Sequence, residues 1–419
     1  MQHEQNEGRI GFYLVLAMVV LAFGHTLSTL LRTLPAVAVD VMAPDLGIDA
    51  PDMASLTAVY HFAFAACQLP VGVALDRFSI RSVALMLFAG TLLGALLAAT
   101  ATGPVSFLIA QLVLGVATSG MLMCPMTLAA KRVTPGQFGL WSGIILSLGN
   151  MGMLLSASPL AWVVESYGWR VGFGLAAVLA VLTGVAVVLY VPADKPAETQ
   201  SRALLPEMIA MARLAMSPTL RGLVVLSLPS LAVMLVFRGL WAGPWLMDIK
   251  GLSRLEAGNV LFIFTLAVIA GPFVIGAADR RFGNRRTLVT AAHLASAVVF
   301  MLIAAGGPGN PVSALFGLDR MPVPYDIGLL IVLGMVVCGQ ALIYAMARQA
   351  VSMDDTGKAL SATNLAMFLG TAMMQSATDP IAAKWGLPSV LLFMAGCLVI
   401  GTLLFVLLTR PGPSNRPAS

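Results

Sequence analysis

Two short loops decide the fold of this chain: GVALDRFSIR at residues 72–81 and GAADRRFGNRR at residues 276–286. Each begins with a glycine, runs through small residues to an aspartate, and ends in a basic turn that closes on arginine. Each also follows the second long apolar stretch of its half of the chain. The two copies therefore indicate an internal duplication in which both halves have the same orientation.

Long apolar stretches surround these loops. The chain has 419 residues, of which 59% are hydrophobic and 10% charged, whereas soluble domains have roughly 45–50% apolar and about 25% charged residues. A membrane crossing takes about 20 apolar residues. The sequence predicts an all-α membrane protein with twelve spans, at 12–40, 54–75, 82–101, 104–129, 138–163, 171–191, 221–247, 258–278, 287–306, 327–348, 359–382 and 387–409.

One longer polar break divides the spans into two groups of six. We therefore predict an N-terminal six-helix bundle at 1–191, a cytoplasmic central loop at 192–220 and a C-terminal six-helix bundle at 221–419. Within the central loop, residues 202–216 are predicted to form an amphipathic helix on the membrane surface.

The positions of the basic residues predict the orientation. Of 24 Lys and Arg residues, two lie inside spans, 17 lie at the end of the spans that carries both termini, and five lie at the other end. The positive-inside rule then predicts a multi-pass protein of the cytoplasmic (inner) membrane with both termini in the cytoplasm. Because the basic residues follow this topology, the net charge of +5 gives no reason to expect a nucleic-acid partner.

With its duplicated loop, its six plus six spans and its long central break, the chain resembles the major facilitator superfamily over its whole length. The resemblance implies two pseudo-symmetric six-helix bundles that rock around a central site, which opens to each side of the membrane in turn. Two positions depart from the family pattern. Ser79 replaces the usual turn glycine of the first loop, and Gln111 stands in span four where the family often has a buried arginine associated with proton coupling.

The acidic residue in each basic loop is a candidate gate. Asp76 and Asp279 can form ion-pair clusters that hold the bundles together in one state and break in another; the alternative is that these charges only fix topology. We favour a gate. Its predicted residues are Asp76, Arg77, Arg81, Asp279, Arg281 and Arg285.

Two arginines lie inside predicted spans, Arg32 in span one and Arg238 in span seven. An ionisable residue there costs about 2.5 kcal/mol or more on insertion scales and is a functional candidate. Spans one and seven correspond in the duplication, so the two arginines are predicted to face each other across the pseudo-twofold axis. No acidic residue lies well inside any predicted span to neutralise them.

Two uncompensated guanidinium groups favour an anion, because their forked donors match carboxylate, phosphate or nitrate. Paired arginines on these helices also resemble the anion clamp of the organophosphate and nitrate branches of the superfamily. The alternative is that each side chain extends to the membrane surface. We favour the clamp, and with it a small organic or inorganic anionic substrate.

Further polar and aromatic residues inside spans are predicted to line the pathway. His25 or His61 can carry a coupling proton, since histidine titrates near physiological pH, or can be a buried structural residue. Trp241 either stacks on substrate or belongs to the aromatic belt at the membrane surface, to which we assign Trp245. The additional substrate-binding candidates are His25, His61, Tyr60, Trp241, Asn150, Tyr344 and Gln340.

Other functions remain as alternatives. An exporter of neutral or lipophilic compounds is the main one, since the lack of acidic residues in the spans argues only against cationic substrates. Copper or other metal transport is a weaker one, based on the methionines and Cys124 of residues 121–126. The sequence has no Gly-rich phosphate loop with lysine, nucleophile motif or metal cluster, so we expect no enzyme activity and no cofactor. We expect a monomer in the lipid bilayer that uses a coupling proton or a counter-anion.

Overall fold

The structure, a computed structural model, describes residues 11–49, 52–133, 135–193, 204–352 and 355–409, without the side chains at 69, 76, 135–140, 204, 205 and 207. Helices make up its secondary structure, and no strand occurs in the described ranges. The membrane helices are α1 (Phe12–Val37), α2 (Asp52–Arg77), α3 (Ile80–Ala99), α4 (Pro104–Arg132), α5 (Trp141–Tyr167, whose first segment begins at Pro135), α6 (Trp169–Tyr190), α7 (Arg221–Ile249), α8 (Arg254–Phe282), α9 (Arg285–Ala305), α10 (Val323–Gln349), α11 (356–385) and α12 (387–408).

Helices α11 and α12 follow each other without an intervening loop and together span Thr356–Leu408, 53 residues. At 1.5 Å per residue this would be about 80 Å long, far beyond the ~30 Å core of a bilayer. The segment is divided at Gly386, whose φ of 76° and ψ of 177° are not helical. Glycine takes this positive φ without a steric penalty, so the chain reverses there and crosses twice.

The predicted all-α fold is confirmed. Among the described residues, ten helical segments are long and apolar enough to cross a membrane; one of them divides into α11 and α12, and α2 completes the twelve predicted spans. The helices extend past most of the predicted edges. Span eight, predicted at 258–278, is the helix Arg254–Phe282. Ser253 and Glu256 form a capping box at its start, which satisfies free backbone N–H groups. Apolar patterning detects only the part of a helix that lies in lipid, whereas caps and polar first turns set where the helix itself begins.

Successive helices run in opposite directions, so their ends form two faces. We call the face that includes Phe12, Arg77 and Leu408 the terminal end, and the face that includes Val37, Asp52 and Gly386 the distal end.

The predicted amphipathic helix of the central loop is present as Leu204–Ala215. It packs at the terminal end against α2 and the Thr356–Leu408 segment.

Contacts between the N-terminal half (α1–α6) and the C-terminal half (α7–α12) follow the duplication. Helix α2 packs on α11, helix α5 packs on α8, and the distal part of α1 packs on the middle of α7. The duplication relates α1 to α7, α2 to α8 and α5 to α11. Exchanging the halves turns the α2–α11 contact into the α8–α5 contact and leaves the α1–α7 contact as it is. The set of contacts therefore has the pseudo-twofold symmetry expected from the repeat.

A buried ion pair joins three helices of the C-terminal half near the distal end. Lys250 follows α7, and its Nζ lies 2.8 Å from an Asp326 carboxylate oxygen, with the two side chains 1% and 0% exposed. The same Nζ donates to the carbonyl oxygens of Gly306 and Met321. Sequence patterns place Lys250 in a loop on the outer side and Asp326 in a break between spans. Both are instead buried, because each charge neutralises the other.

Asp326→Asn should destabilise the protein by about 3–5 kcal/mol, because it leaves the buried ammonium group of Lys250 without a counter-charge. The matched control is Asp45→Asn, which breaks an exposed pair with Arg170 and should cost about 0–1 kcal/mol. Unfolding in detergent, followed by circular dichroism, measures both. The double variant Lys250→Met, Asp326→Leu should recover most of the loss; equal stability of Asp326→Asn and Asp45→Asn would contradict this role of the pair.

Candidate functional site

Arg32 lies at the junction of α1, α2 and α11. The residue is 8% exposed, and its guanidinium carbon lies 5.6 Å from the ring centroids of both Phe64 and Phe368. These two rings are 4.2 Å apart and belong to different halves. The contact is a cation–π interaction, which strengthens when the cation is desolvated. The Nε of Arg32 has no hydrogen-bond partner.

Arg238 lies at the corresponding junction of α7, α8 and α5, in a π-helical turn, Phe237–Trp241. Such turns occur frequently at functional sites. The residue is fully buried. Its Nε donates to Thr265 Oγ1 at 3.2 Å, and its Nη2 donates to the Met153 carbonyl at 2.8 Å and to Ser156 Oγ at 3.4 Å. Its Nη1 has no partner.

The two arginines have symmetric environments. Each comes from the first helix of its half and reaches between the second helix of that half and the fifth helix of the other. In the closed contact between α1 and α7, the backbone of Gly239 approaches the carbonyl oxygen of Arg32. The two guanidinium groups themselves contact different helix pairs, Arg32 the pair α2–α11 and Arg238 the pair α5–α8. Both arginines therefore bridge the halves.

Helix direction explains why neither arginine extends to the distal surface. Side chains on a helix tilt toward its N-terminus, and α1 and α7 both begin at the terminal end. Arg32 and Arg238 lie in the distal parts of these helices, so both side chains point back toward the middle of the bundle. Arg238 is fully buried, so its side chain reaches neither end of the bundle.

No acidic side chain neutralises either arginine in the part of the chain that the structure describes. The ion pairs in that part join Arg170 to Asp45, Lys250 to Asp326, Arg254 to Asp40 and Glu165, Arg285 to Asp279, and Lys358 to Asp355. The two arginines rely on aromatic faces, hydroxyls and one carbonyl oxygen. Their positive charges remain uncompensated.

The two histidines of the N-terminal half lie near Arg32. His25 is half-buried, and its ring packs directly against Gly149 of α5. His61 is 3% exposed, and neither of its ring nitrogens has a hydrogen-bond partner. Tyr60 is buried within its own half, where its hydroxyl bonds Thr118.

The tryptophans of α7 are buried in the C-terminal half. Trp241 donates from Nε1 to Thr378 Oγ1 of α11 at 3.0 Å. Trp245 is 1% exposed and donates to Asp326 at 2.8 Å. The assignment of Trp245 to a surface aromatic belt was wrong, because a buried carboxylate accepts its indole N–H and draws it inside.

The remaining candidates are spread over both halves. Asn150 is half-buried on α5. Tyr344 donates to Asn364 at 2.8 Å, which joins α10 to α11. The buried Oε1 of Gln340, in the short 3₁₀ turn of α10, has no partner.

The second basic loop is held by an internal ion pair. Asp279 accepts three hydrogen bonds from the Nε and Nη2 of Arg285, at 2.9–3.1 Å, which ties the end of α8 to the start of α9. Arg281 is exposed, and Arg81 is half-buried on a groove that also includes Arg132 and Tyr190. The side chain of Asp76 lies outside the described residues, and Arg77 takes part in an interaction of its own.

The distal end is closed by polar contacts between the halves, most of which sequence patterns did not reveal. Arg254 of α8 pairs with Asp40 at 2.5 Å and with Glu165 at 2.8 Å. Ser158 donates to Asn259 at 2.7 Å. Deeper along α2 and α11, Ser55 bonds Asp379 and Gln375 Nε2 bonds Thr57.

Neighbouring contacts stiffen the distal loops of the N-terminal half. Asp45 accepts from Trp169 Nε1 at 3.0 Å and from Arg170 at 2.6 Å. These two bonds, that of Trp169 first, hold the pKa of the Asp45 carboxyl below its ordinary value. Single charges at helix ends gave no pairing signal in the sequence, because their partners are remote along the chain.

Twelve helices in two symmetric halves, closed at one end around buried arginines, define a membrane transporter. The sequence matches the Major Facilitator Superfamily over residues 21–336 and, in an overlapping second match, over residues 230–419. The chain belongs to this superfamily.

Two curated relatives come from Bacillus subtilis strain 168. The chain is 25% identical over 248 residues to the putative niacin/nicotinamide transporter NiaP, an alignment that spans 57% of this chain and 60% of that protein. It is 24% identical over 284 residues to the uncharacterized MFS-type transporter YbcL, spanning 63% of this chain and 66% of that protein. The chain thus matches less than two thirds of the length of either relative.

Solved structures share the fold. A POT family transporter in complex with 5-aminolevulinic acid superposes with a TM-score of 0.78 at 13% identity, covering 96% of this chain and 98% of that one. A mutant of the nucleoside transporter NupG gives a TM-score of 0.73 at 15% identity, covering 95% of this chain and 100% of that one.

Gly243→Ala should prevent full closure of the distal end. An added Cβ at position 243 would lie 1.4 Å from the carbonyl oxygen of Ala36, in the other half. Disulfide formation between Ser158→Cys and Asn259→Cys, introduced into a background without the native cysteines, reports closure. We expect its yield to fall several-fold.

The matched control is Gly396→Ala, whose added Cβ would meet nothing within 4 Å and should leave the yield unchanged. Equal cross-linking in both variants would show that the α1–α7 contact does not set the separation of the halves.

Proposed function

We propose that this chain is a secondary transporter that carries a small anion across the cytoplasmic membrane by alternating access. The observation that carries the proposal is the symmetric pair of buried, uncompensated arginines at the contact between the halves. A cation inside a membrane bundle is costly, and forked guanidinium donors match carboxylate and other oxyanions. A bound anion supplies the missing counter-charge.

The interhalf contacts of the arginines give a mechanism. Arg32 contacts Phe368 of the opposite half, and Arg238 donates to Met153 and Ser156 of the opposite half. When the halves part at the distal end, both contacts break and both guanidinium forks turn free toward the space between the halves. An anion entering there replaces the lost contacts, and its binding favours closure again.

Transport energy is assigned to a solute or ion gradient, since the sequence carries no phosphate-binding loop for ATP. The Asp279–Arg285 pair and its counterpart loop at 72–81 are proposed to stabilise the terminal end of each half during rocking. We propose Asn150, Gln340, Tyr344 and Trp241 as wall residues of the pathway.

The named relative directs the choice of substrate to test. Niacin is a small planar carboxylate, and Phe64 and Phe368 present two aromatic faces beside Arg32. Nicotinate therefore tests the anion proposal, and nicotinamide tests the second candidate, a neutral aromatic compound. The comparison isolates the carboxylate, because the two molecules share the same ring.

Arg32→Lys and Arg238→Lys should each reduce anion uptake by proteoliposomes at least about tenfold, mainly through a higher KM, because lysine keeps the charge but loses the bidentate fork. Uptake of labelled nicotinate, inorganic phosphate and nitrate is measured, with nicotinamide as the neutral comparison. Arg170→Lys, at an exposed pair on the distal surface, is the matched control and should transport normally.

Wild-type rates for both arginine variants would refute the clamp. Uptake of nicotinamide but of no anion would favour the neutral-substrate function instead.

The proposed topology places the terminal end in the cytoplasm. Alkaline phosphatase fused within residues 47–50 should be active, because that loop would lie outside the cytoplasm, whereas a fusion within residues 195–200 should be inactive. Green fluorescent protein fused at the same two places should give the reverse pattern. The opposite result would place the terminal end outside the cytoplasm and contradict the proposed topology.

A further inference from the structure

Unsatisfied polar atoms gather at the junction of α1, α2 and α11. The described residues include ten buried side-chain nitrogen or oxygen atoms without a hydrogen-bond partner, one of which, Asp326 Oδ2, is instead ion-paired with Lys250. Four of these belong to this one junction: the Nε of Arg32, both ring nitrogens of His61 and the Oε1 of Gln375. Buried polar groups are normally satisfied, so such a cluster points to a ligand or proton that completes it.

We propose that His61 is the residue that takes up and releases the coupling proton, so that anion and proton cross together. The inference rests on the proposed anion transport and assigns its coupling ion. The family resemblance would place a residue associated with proton coupling in α4. This chain has Gln111 there, which cannot titrate, so we assign the proton to His61 of α2 instead.

The surroundings of the ring can hold a second proton. The nearby acceptors are the backbone carbonyl of Thr57, one turn earlier on α2, and the side chain of Gln375 on α11, although neither makes a hydrogen bond to the ring in this closed state. The amide of Gln375 is anchored by its Nε2 on Thr57, which leaves its Oε1 available. A protonated imidazole has two N–H donors, and these two acceptors match them.

Charged or titratable groups lie near His61 on α1, on its own helix α2 and on α11, whereas α4 meets α2 through a glycine. From α1 these are Arg32, whose charge acts on the ring, and His25 beyond it. On α2 the phenol ring of Tyr60 lies 5.2 Å from the imidazole, centroid to centroid. Helix α4 meets α2 through Gly115 at the backbone of Tyr60. On α11, Asp379 lies one turn beyond Gln375 and is engaged by Ser55.

Arg32 couples the proton to the anion. An imidazolium at His61 and the guanidinium of Arg32 repel each other at low dielectric, so a second positive charge is disfavoured while the site is empty. An anion on Arg32 removes that repulsion and makes protonation of His61 favourable. By linkage, protonation strengthens anion binding by the same factor, which is typically about 5–150-fold.

Alternating access gives the proton its route. In the present closed state His61 is sealed by Gln375 of the opposite half. When α11 moves away from α2 at the distal end, water reaches the ring and one ring nitrogen binds a proton from it. After the halves close distally and open at the terminal end, the anion leaves, the repulsion by Arg32 returns, and the same proton passes to water on that side.

The test measures nicotinate uptake by proteoliposomes with and without an imposed pH gradient that is acid on the distal side. In the same vesicles, internal pyranine reports the influx of protons. Wild-type protein should concentrate nicotinate only with the gradient and should acidify the interior in step. His61→Gln should keep nicotinate exchange within a few-fold of wild type but lose both gradient-driven accumulation and acidification. His293→Gln is the matched control, because this buried histidine of α9 lies outside the site and its ring nitrogens already have partners in Ser230 and Val289; it should keep all three.

Gel filtration identifies any variant that fails to fold, and Gln375→Leu then provides an independent test. It removes an acceptor of the imidazolium while leaving the histidine in place, so the pH midpoint of uptake should shift to lower pH. An unchanged midpoint would argue against His61 as the proton carrier, as would gradient-driven accumulation by folded His61→Gln protein.

The two proposals fail separately. Wild-type uptake of nicotinate that does not respond to the gradient overturns the coupling and leaves anion transport standing. Absence of uptake of nicotinate, phosphate and nitrate overturns both.

Discussion

The charge of a guanidinium group buried in a membrane bundle is the constraint on which the rest of this structure depends. Arginine does not lose its proton in proteins, so Arg32 and Arg238 cannot escape the cost of burial by becoming neutral. In the closed state the cost is offset by contacts from the opposite half: an aromatic face for Arg32, a carbonyl and a hydroxyl for Arg238. The arginines are thereby tied to the conformation of the transporter.

This dependence divides the polar contacts of the protein into two kinds. Lys250 and Asp326 are buried together inside one half, where their mutual attraction does not change as the halves move. Arg254 with Asp40 and Glu165, and Gln375 with Thr57, cross from one half to the other. In the proposed cycle, contacts of the second kind form and break as the halves close and part.

The duplication explains why the two arginine environments have the same plan but different chemistry. Helices α2 and α11 offer phenylalanine rings to Arg32, whereas α8 and α5 offer oxygen atoms to Arg238. The titratable His61 and the amide of Gln375 lie only on the Arg32 side of the described structure. Symmetry thus gives both halves the same helix plan, which the proposed rocking motion requires, and its local departures give the two sides different chemistry.

The sequence by itself determined the membrane class, the twelve crossings and the internal repeat, because apolar runs and a duplicated loop are local patterns that survive without knowledge of packing. It also identified Arg32 and Arg238, because a charged residue inside an apolar segment can be recognised from the sequence whatever direction its side chain takes in the fold. Only the tertiary structure decided that Trp245 is buried, that Lys250 meets Asp326, and that Gln375 lies beside His61. These pairings join helices far apart in the chain, so they depend on which helix faces meet, a property that no single stretch of sequence contains.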